Sequence, residues 1–134
     1  MTWIEVCAHP SLRNLPFKIE TNEWGQIVMA PTTNRHSRLR FRIAKTLENF
    51  LSGGESFASC AIETSRGIRV ADAVWASTGF LEAHANEDAY LLAPEICVEV
   101  ISPSNTAEEM PRGILEKRDL YLARGAKEVW TCDL

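Results

Sequence analysis

A carboxylate inside an apolar run sets the strongest limit on how this chain can fold. Residues 96–101 are apolar except for Glu99, and a Ser-Pro-Ser turn follows at residues 102–104. A short run rich in β-branched residues and ended by turn residues is typical of a buried strand. Alternate side chains of a strand point to opposite faces, so Glu99 shares its face with Cys97 and Ile101. Burying an ionised glutamate is costly unless a metal, a cation or a proton compensates, and we expect such a group near Glu99.

The size and composition of the chain predict one globular domain over residues 1–134. The chain is 46 % hydrophobic and 24 % charged, with a net charge of −4 that argues against a surface coated in positive charge. No apolar stretch approaches the roughly 20 residues that a membrane span needs, and the N-terminus lacks the pattern of a secretory signal. The four cysteines are scattered without a CxxC pair. We therefore predict free thiols and a reducing, cytoplasmic compartment.

The order of the predicted elements indicates an α/β protein. Antiparallel hairpins followed by a strand–helix–strand unit give a mixed β-sheet flanked by helices. The predicted elements are, in order, a hairpin of strands 17–21 and 26–30, a helix over 35–51, a hairpin of strands 57–63 and 68–75, the strand of Glu99, a helix over 114–124 that could begin at Pro111, and a strand over 128–132.

The helix predicted over residues 35–51 carries two separate stripes. One is apolar and consists of Leu39, Ile43, Leu47 and Phe50. The other is cationic, covers an arc of about 80° on a helical wheel, and consists of Arg35, Arg38, Arg42 and Lys45. Cations at such spacings can follow a DNA backbone, which makes the second stripe a candidate phosphate-binding track. The more common alternative is a solvated helix face.

Asp72 is a second acidic residue in an apolar strand, between Val70 and Val74 on one face. Two carboxylates on neighbouring strands can converge on one divalent cation, and oxygen ligands suit Mg²⁺ or Mn²⁺. Such an ion activates water and neutralises the charge that develops on a phosphate. The alternative is that each carboxylate caps a turn, pairs with an arginine such as Arg69, or faces solvent.

Several segments of the sequence resemble the Uma-two-type restriction endonuclease family, which belongs to the PD-(D/E)XK nuclease superfamily. The segments that carry the resemblance are Met29–Pro31 with Asn34–His36, Arg69–Asp72, Pro94–Thr106, Lys117–Tyr121 and Gly125–Trp130. The resemblance covers about residues 17–134. It implies a restriction-endonuclease-like core and metal-dependent hydrolysis of phosphodiester bonds in DNA.

The resemblance also implies a set of site residues. Asp72 and Glu99 would ligate Mg²⁺ or Mn²⁺, with the backbone carbonyl of Val100 as a further ligand. The superfamily's usual lysine, two residues after the glutamate, falls at Ile101. This family takes its lysine from the following helix, where Lys117 matches. Its ammonium would orient or deprotonate the attacking water, or stabilise charge on the phosphate.

Two further positions are accessory candidates. Glu20 matches an acidic position on the family's first hairpin, where it would bind water or a second metal, and a glutamate on a surface strand is the alternative. His36 would contact phosphate or the site, and a packed histidine at the start of a helix is the alternative. The superfamily's proline before the first aspartate is Ala71 here.

The sequence leaves other functions open. One alternative to the endonuclease is a catalytically inactive nuclease-fold module that binds DNA or another protein. Another is a structural subunit that forms a homodimer through the C-terminal edge of the sheet, because family members often continue with another strand or two where this chain stops at Leu134.

Overall fold

The structure is a computed structural model that describes residues 1–101 and 109–133, without the side chains of residues 109–112. The turn predicted at residues 102–104 lies outside this part of the chain. The described elements are α1 (Trp3–Ala8), β1 (Phe17–Thr21), β2 (Ile27–Pro31), α2 (Asn34–Phe50), β3 (Gly54–Thr64), β4 (Gly67–Ser77), α3 (Thr78–Ala83), β5 (Ile96–Ile101), α4 (Glu109–Ala123) and β6 (Glu128–Asp133).

The strands form two sheets. β1 and β2 make an antiparallel hairpin, and the other four strands make a sheet in the order β3-β4-β5-β6. Pairing is antiparallel between β3, β4 and β5 and parallel between β5 and β6, so the predicted mixed sheet is confirmed. Among the described residues, no helix is both long and apolar enough to cross a membrane.

Helices cover both faces of this sheet. On one face Leu47 of α2 packs with Ala73 and Val98, and on the other Tyr121 of α4 packs with Val74 and Cys97. The predicted mixed α/β core with flanking helices is therefore confirmed.

α2 begins at Asn34, one residue before the predicted start, because the Thr33 side chain accepts a hydrogen bond from the His36 N–H at 3.1 Å and caps the helix. Its apolar face was predicted to include Phe50, and this is wrong, since Phe50 is 84 % exposed. The helix ends at Phe50, and the next residue, Leu51, packs against the core instead.

Asp72 lies at a break in both of its neighbouring ladders. The register of β3 and β4 pairs Ala58 with Ala73 and Cys60 with Ala71, and it skips Ser59 and Asp72 between them. Ser59 has a φ of 65°, a left-handed conformation that disfavours side chains other than glycine. On the other side of β4, pairing with β5 runs only from Trp75 to Ala73. The backbone around Asp72 is thus free of the regular ladder.

The β1–β2 hairpin docks on the half of β4 that β5 leaves uncovered. The Glu20 carboxylate accepts the Val70 N–H at 2.7 Å, and the Thr21 hydroxyl accepts the Ile68 N–H at 2.9 Å. Gly67, with φ of +92°, allows this close approach, because a Cβ there would lie 2.4 Å from the carbonyl oxygen of Thr21. β1 therefore carries its side chains to the break at Asp72.

Candidate active site

Asp72 and Glu99 sit next to each other at the point where β4 and β5 separate. The last pair of that ladder is Ala73 with Val98, so Asp72 and Glu99 are the next residue on each strand. Both side chains are buried, with residue exposures of 1 % and 5 %. In place of a ladder hydrogen bond, the Asp72 Oδ2 accepts the Val100 N–H at 2.7 Å.

Lys18 of β1 bridges the two carboxylates. Its Nζ lies 3.1 Å from Asp72 Oδ1 and 3.4 Å from Glu99 Oε2. The lysine side chain is only 11 % exposed. The buried acidic pair thus faces a cation that belongs to the chain itself.

The other oxygen of Glu99 faces α4. The Tyr121 hydroxyl donates to Glu99 Oε1 at 2.8 Å, and the Lys117 Nζ lies 3.5 Å from the same atom. Lys117 also contacts Glu20 Oε2 at 2.8 Å. Glu99 is therefore held between a lysine from the hairpin and a lysine from the helix.

His36 enters the site from the first turn of α2. The imidazole is buried, and its Nε2 lies 3.6 Å from Asp72 Oδ2. Its Nδ1 has no hydrogen-bond partner within the described residues. Position and burial put the ring against the carboxylate rather than in the apolar core.

Burial and charge act on these groups in opposite directions. Burial raises the pKa of Glu99 against the opposing charges of Lys117 and Lys18. Burial also acts to raise the pKa of Asp72, but His36, Lys18 and the backbone N–H outweigh it and hold that pKa below its ordinary value. For Lys18 burial acts to lower the pKa, and the charges of Glu99 and Asp72 raise it above its usual range. Asp72 is thus kept ionised beside a protonated lysine.

The structure brings most of the site residues predicted from the sequence into one cluster. Asp72, Glu99, Lys117, Glu20 and His36 all take part in the contacts described above. Val100, predicted as a ligand through its carbonyl, contacts the cluster through its N–H. Its carbonyl as a metal ligand stays a prediction.

The cationic stripe of α2 lies elsewhere. Its members are all exposed, as a phosphate-binding track would require; they are Arg35, Arg38, Arg42 and Lys45. A helix turns about 100° per residue, which places these side chains about 100° to 180° around α2 from His36. The stripe therefore faces away from the carboxylates, and its contact with DNA stays a prediction.

Lys18 was missed in the sequence, although a signal for it exists. Glu20 is an accessory site candidate on the first hairpin, and residues two apart on a strand point to the same face. An inward Glu20 therefore implies an inward Lys18. Burial of Glu99 also predicts a compensating group nearby, and Lys18 is such a cation.

The carboxylate oxygens of the cluster are the type of ligand that Mg²⁺ and Mn²⁺ prefer. Asp72 Oδ1 and Glu99 Oε2 point at one cation position, and Mg²⁺ commonly uses only one or two carboxylates together with waters. Within residues 1–101 and 109–133, however, no group of three or more His, Cys, Asp or Glu side chains is arranged as a metal centre. A two-carboxylate site is the arrangement that these residues can offer.

A family model described as "Putative restriction endonuclease", Uma2, matches residues 12–134. The chain belongs to the Uma2 family. A search of curated proteins finds no match. The family membership confirms the resemblance that the sequence motifs indicate.

A solved structure is similar to this Uma2 chain in fold. It is the crystal structure of a putative nuclease belonging to DUF820 from Anabaena variabilis, with a TM-score of 0.65 and 19 % sequence identity. The match covers 89 % of this chain and 69 % of that chain. The likeness supports the restriction-endonuclease-like core.

Proposed function

We propose that this chain is a metal-dependent endonuclease that hydrolyses phosphodiester bonds in DNA, within a single nuclease-like domain. Membership of the Uma2 family supports a nuclease-like function. The observation that carries the proposal is the convergence of Asp72 and Glu99 on one cation position, with Lys117 3.5 Å from the far oxygen of Glu99. These are the groups that the family resemblance assigns to the reaction.

In this proposal Asp72 and Glu99 hold Mg²⁺ or Mn²⁺, with the Val100 carbonyl as a further ligand. When bound, the ion supplies an activated water and neutralises charge on the phosphate. The Val100 N–H fixes the Asp72 carboxylate, and the Tyr121 hydroxyl fixes Glu99. Both ligands are thus oriented by neighbours that are themselves part of the core.

Lys117 has a separate role in the proposal. Its ammonium contacts Glu20 and Glu99, so its position is fixed by two carboxylates. From there it orients the attacking water or stabilises charge on the scissile phosphate. Glu20 then positions the lysine, because it accepts hydrogen bonds from Lys117 and from the Val70 N–H.

The test is cleavage of plasmid DNA in the presence of Mg²⁺ or Mn²⁺. We expect Asp72→Asn and Glu99→Gln to lower the cleavage rate by about 10²- to 10³-fold, because each removes a ligand charge from the site. Glu23→Gln is the matched control, since Glu23 lies exposed outside the strands of the hairpin. Equal cleavage by wild type and both site variants would identify a contaminating nuclease and contradict the proposal.

A second candidate function is favoured by one observation. Lys18 already pairs with both carboxylates, as expected of a catalytically inactive module that keeps the nuclease fold and binds DNA or protein. Such a module would bind DNA in a salt-sensitive manner and would not cleave it, whichever divalent metal is added. Metal-dependent cleavage that is lost in Asp72→Asn excludes this candidate.

A homodimer and a reducing, cytoplasmic compartment complete the proposal. The described cysteines are free, as a reducing compartment favours.

The homodimer is proposed to form through β6. β6 is the last strand in the order of the four-stranded sheet and exposes 39 % of Trp130, and an edge strand can pair with a second copy. Light scattering across a wide concentration range tests the dimer, and a constant monomer mass would contradict it.

A further inference from the structure

The cation position between Asp72 and Glu99 is filled by a residue of the chain. The Lys18 Nζ contacts Asp72 Oδ1 and Glu99 Oε2, which are the atoms that the proposed function gives to a divalent ion. Mg²⁺ takes its oxygen ligands at about 2.0–2.1 Å, so it would need the same space. Two cations cannot share that position, because they would repel each other at contact distance.

We propose that Lys18 is a built-in counter-cation, and that a divalent ion binds to this site by displacing it. The inference rests on the proposed function, in which Asp72 and Glu99 are the metal ligands. Two buried carboxylates side by side destabilise each other's charged forms. Lys18 supplies the missing positive charge when no metal is bound, and it lowers metal affinity because only the lysine-free arrangement can bind the ion.

The structure offers space for the displaced side chain. Lys18 lines a cavity of about 640 Å³ between the N-terminal segment and β3. The lining of the same cavity includes the charged residues Glu87, Asp88, Arg13 and Arg40, together with apolar residues such as Phe57. A displaced Lys18 side chain that turns into this cavity therefore meets charged groups as well as apolar ones.

The second lysine of the cluster does not compete in the same way. Lys117 contacts Glu20 at 2.8 Å and Glu99 at 3.5 Å, and its described ion pairs do not include Asp72. It sits beside the position that the two ligands define, on the side of α4. Displacement by a metal thus falls on Lys18, while Lys117 keeps its contact with Glu20.

Isothermal titration calorimetry of Mn²⁺ binding to the metal-stripped chain tests this inference. We expect Lys18→Met to bind Mn²⁺ about tenfold more tightly than wild type, within the usual range for two coupled binding events. Metal-free Lys18→Met should unfold at a lower temperature than wild type, and Mn²⁺ should restore its stability. Lys127→Met, which removes an exposed lysine, should bind Mn²⁺ as wild type does.

A second measurement needs no altered residue. In the wild-type chain, the NMR signal of the Lys18 ammonium should shift when Mg²⁺ is added, while that of Lys117 should persist. A Lys18 signal that is unchanged at saturating Mg²⁺ overturns the inference.

The outcomes separate the inference from the proposed function. Equal or weaker Mn²⁺ binding by folded Lys18→Met, with binding still abolished by Asp72→Asn, overturns the role of Lys18 and leaves the metal site standing. Absence of Mn²⁺ binding in both wild type and Lys18→Met overturns the inference and the metal-dependent function together.

Discussion

Ser59 carries a strain that the neighbouring aspartate explains. It is the one described non-glycine residue with positive φ, and it lies opposite Asp72 where the β3–β4 ladder is interrupted. A left-handed conformation costs a side chain about 1–2 kcal/mol. Strain of this kind concentrates at functional sites, where the surrounding structure enforces it. The strained residue of β3 thus lies opposite the place where β4 presents its carboxylate.

We predict that Ser59→Gly stabilises the protein. The substitution removes the left-handed penalty and adds a smaller entropic cost in the unfolded chain, for a net gain of about 0.5 kcal/mol in the free energy of unfolding. Ala58→Gly is the matched control, because Ala58 pairs regularly with Ala73. This variant should have a free energy of unfolding about 0.5–1 kcal/mol lower than wild type. Thermal unfolding measures both, and a lower midpoint for Ser59→Gly would contradict the argument.

At the residue scale the sequence predicts the two buried carboxylates better than it predicts all of their partners. Glu99 and Asp72 are recognisable because a carboxylate in an apolar strand is locally anomalous. Lys18 and Tyr121 act through contacts with residues 81 and 22 positions away, and no local pattern reports such a distance. Only the period of two in β1, which links Lys18 to Glu20, carries information about the lysine.

The elements themselves follow from local patterns. β1 matches its predicted bounds, α2 is displaced by one residue, and β5 begins at Ile96 as predicted. Longer-range pairing extends the rest, as β3 begins three residues before the predicted Phe57 because Gly54 pairs with Ser77. Periodicity predicts where a strand lies, and its ends depend on partners that the sequence does not reveal.

α2 presents two chemically different faces. His36 and Leu47 face the site and the core, whereas the cationic stripe faces solvent. DNA bound along the stripe would lie on the far side of the helix from Asp72. The stripe is therefore better suited to attracting and holding DNA than to aligning a scissile phosphate.

We predict that Arg42→Gln weakens DNA binding mainly through its salt dependence. Loss of one phosphate contact should reduce the slope of log K against log salt by about 0.9. Lys127→Gln removes one exposed charge outside the stripe and should leave the slope unchanged. Fluorescence anisotropy at several salt concentrations gives the slope, and identical slopes for Arg42→Gln and wild type would make the stripe a solvated helix face.

For the whole molecule, Glu20 makes the contacts that join the most elements. Glu20 is a member of the hairpin, yet its carboxylate binds the Val70 N–H of the main sheet and Lys117 of α4. Its pKa is held low because Lys117 and Lys18 outweigh the effect of burial. One buried side chain thus ties the hairpin, the sheet and the helix together.

We predict that Glu20→Ala loosens the hairpin. Removing one partner of a buried ion pair typically costs about 3–5 kcal/mol of unfolding free energy. Hydrogen exchange should report the site of the loss, because the Val70 amide loses its acceptor. Glu23→Ala, on the exposed turn, should change stability by less than about 0.5 kcal/mol. Unchanged protection of Val70 in Glu20→Ala would contradict this role.

Gly67 shows how far the requirements of the site extend through the molecule. It bears no side chain and lies in the turn between β3 and β4, yet a Cβ there would clash with the backbone of Thr21 and Asn22. Any substitution would push the hairpin outward and carry Lys18 and Glu20 away from the carboxylates. A substitution at a position with no side chain of its own would thereby disturb the buried ion pairs as directly as a substitution within them.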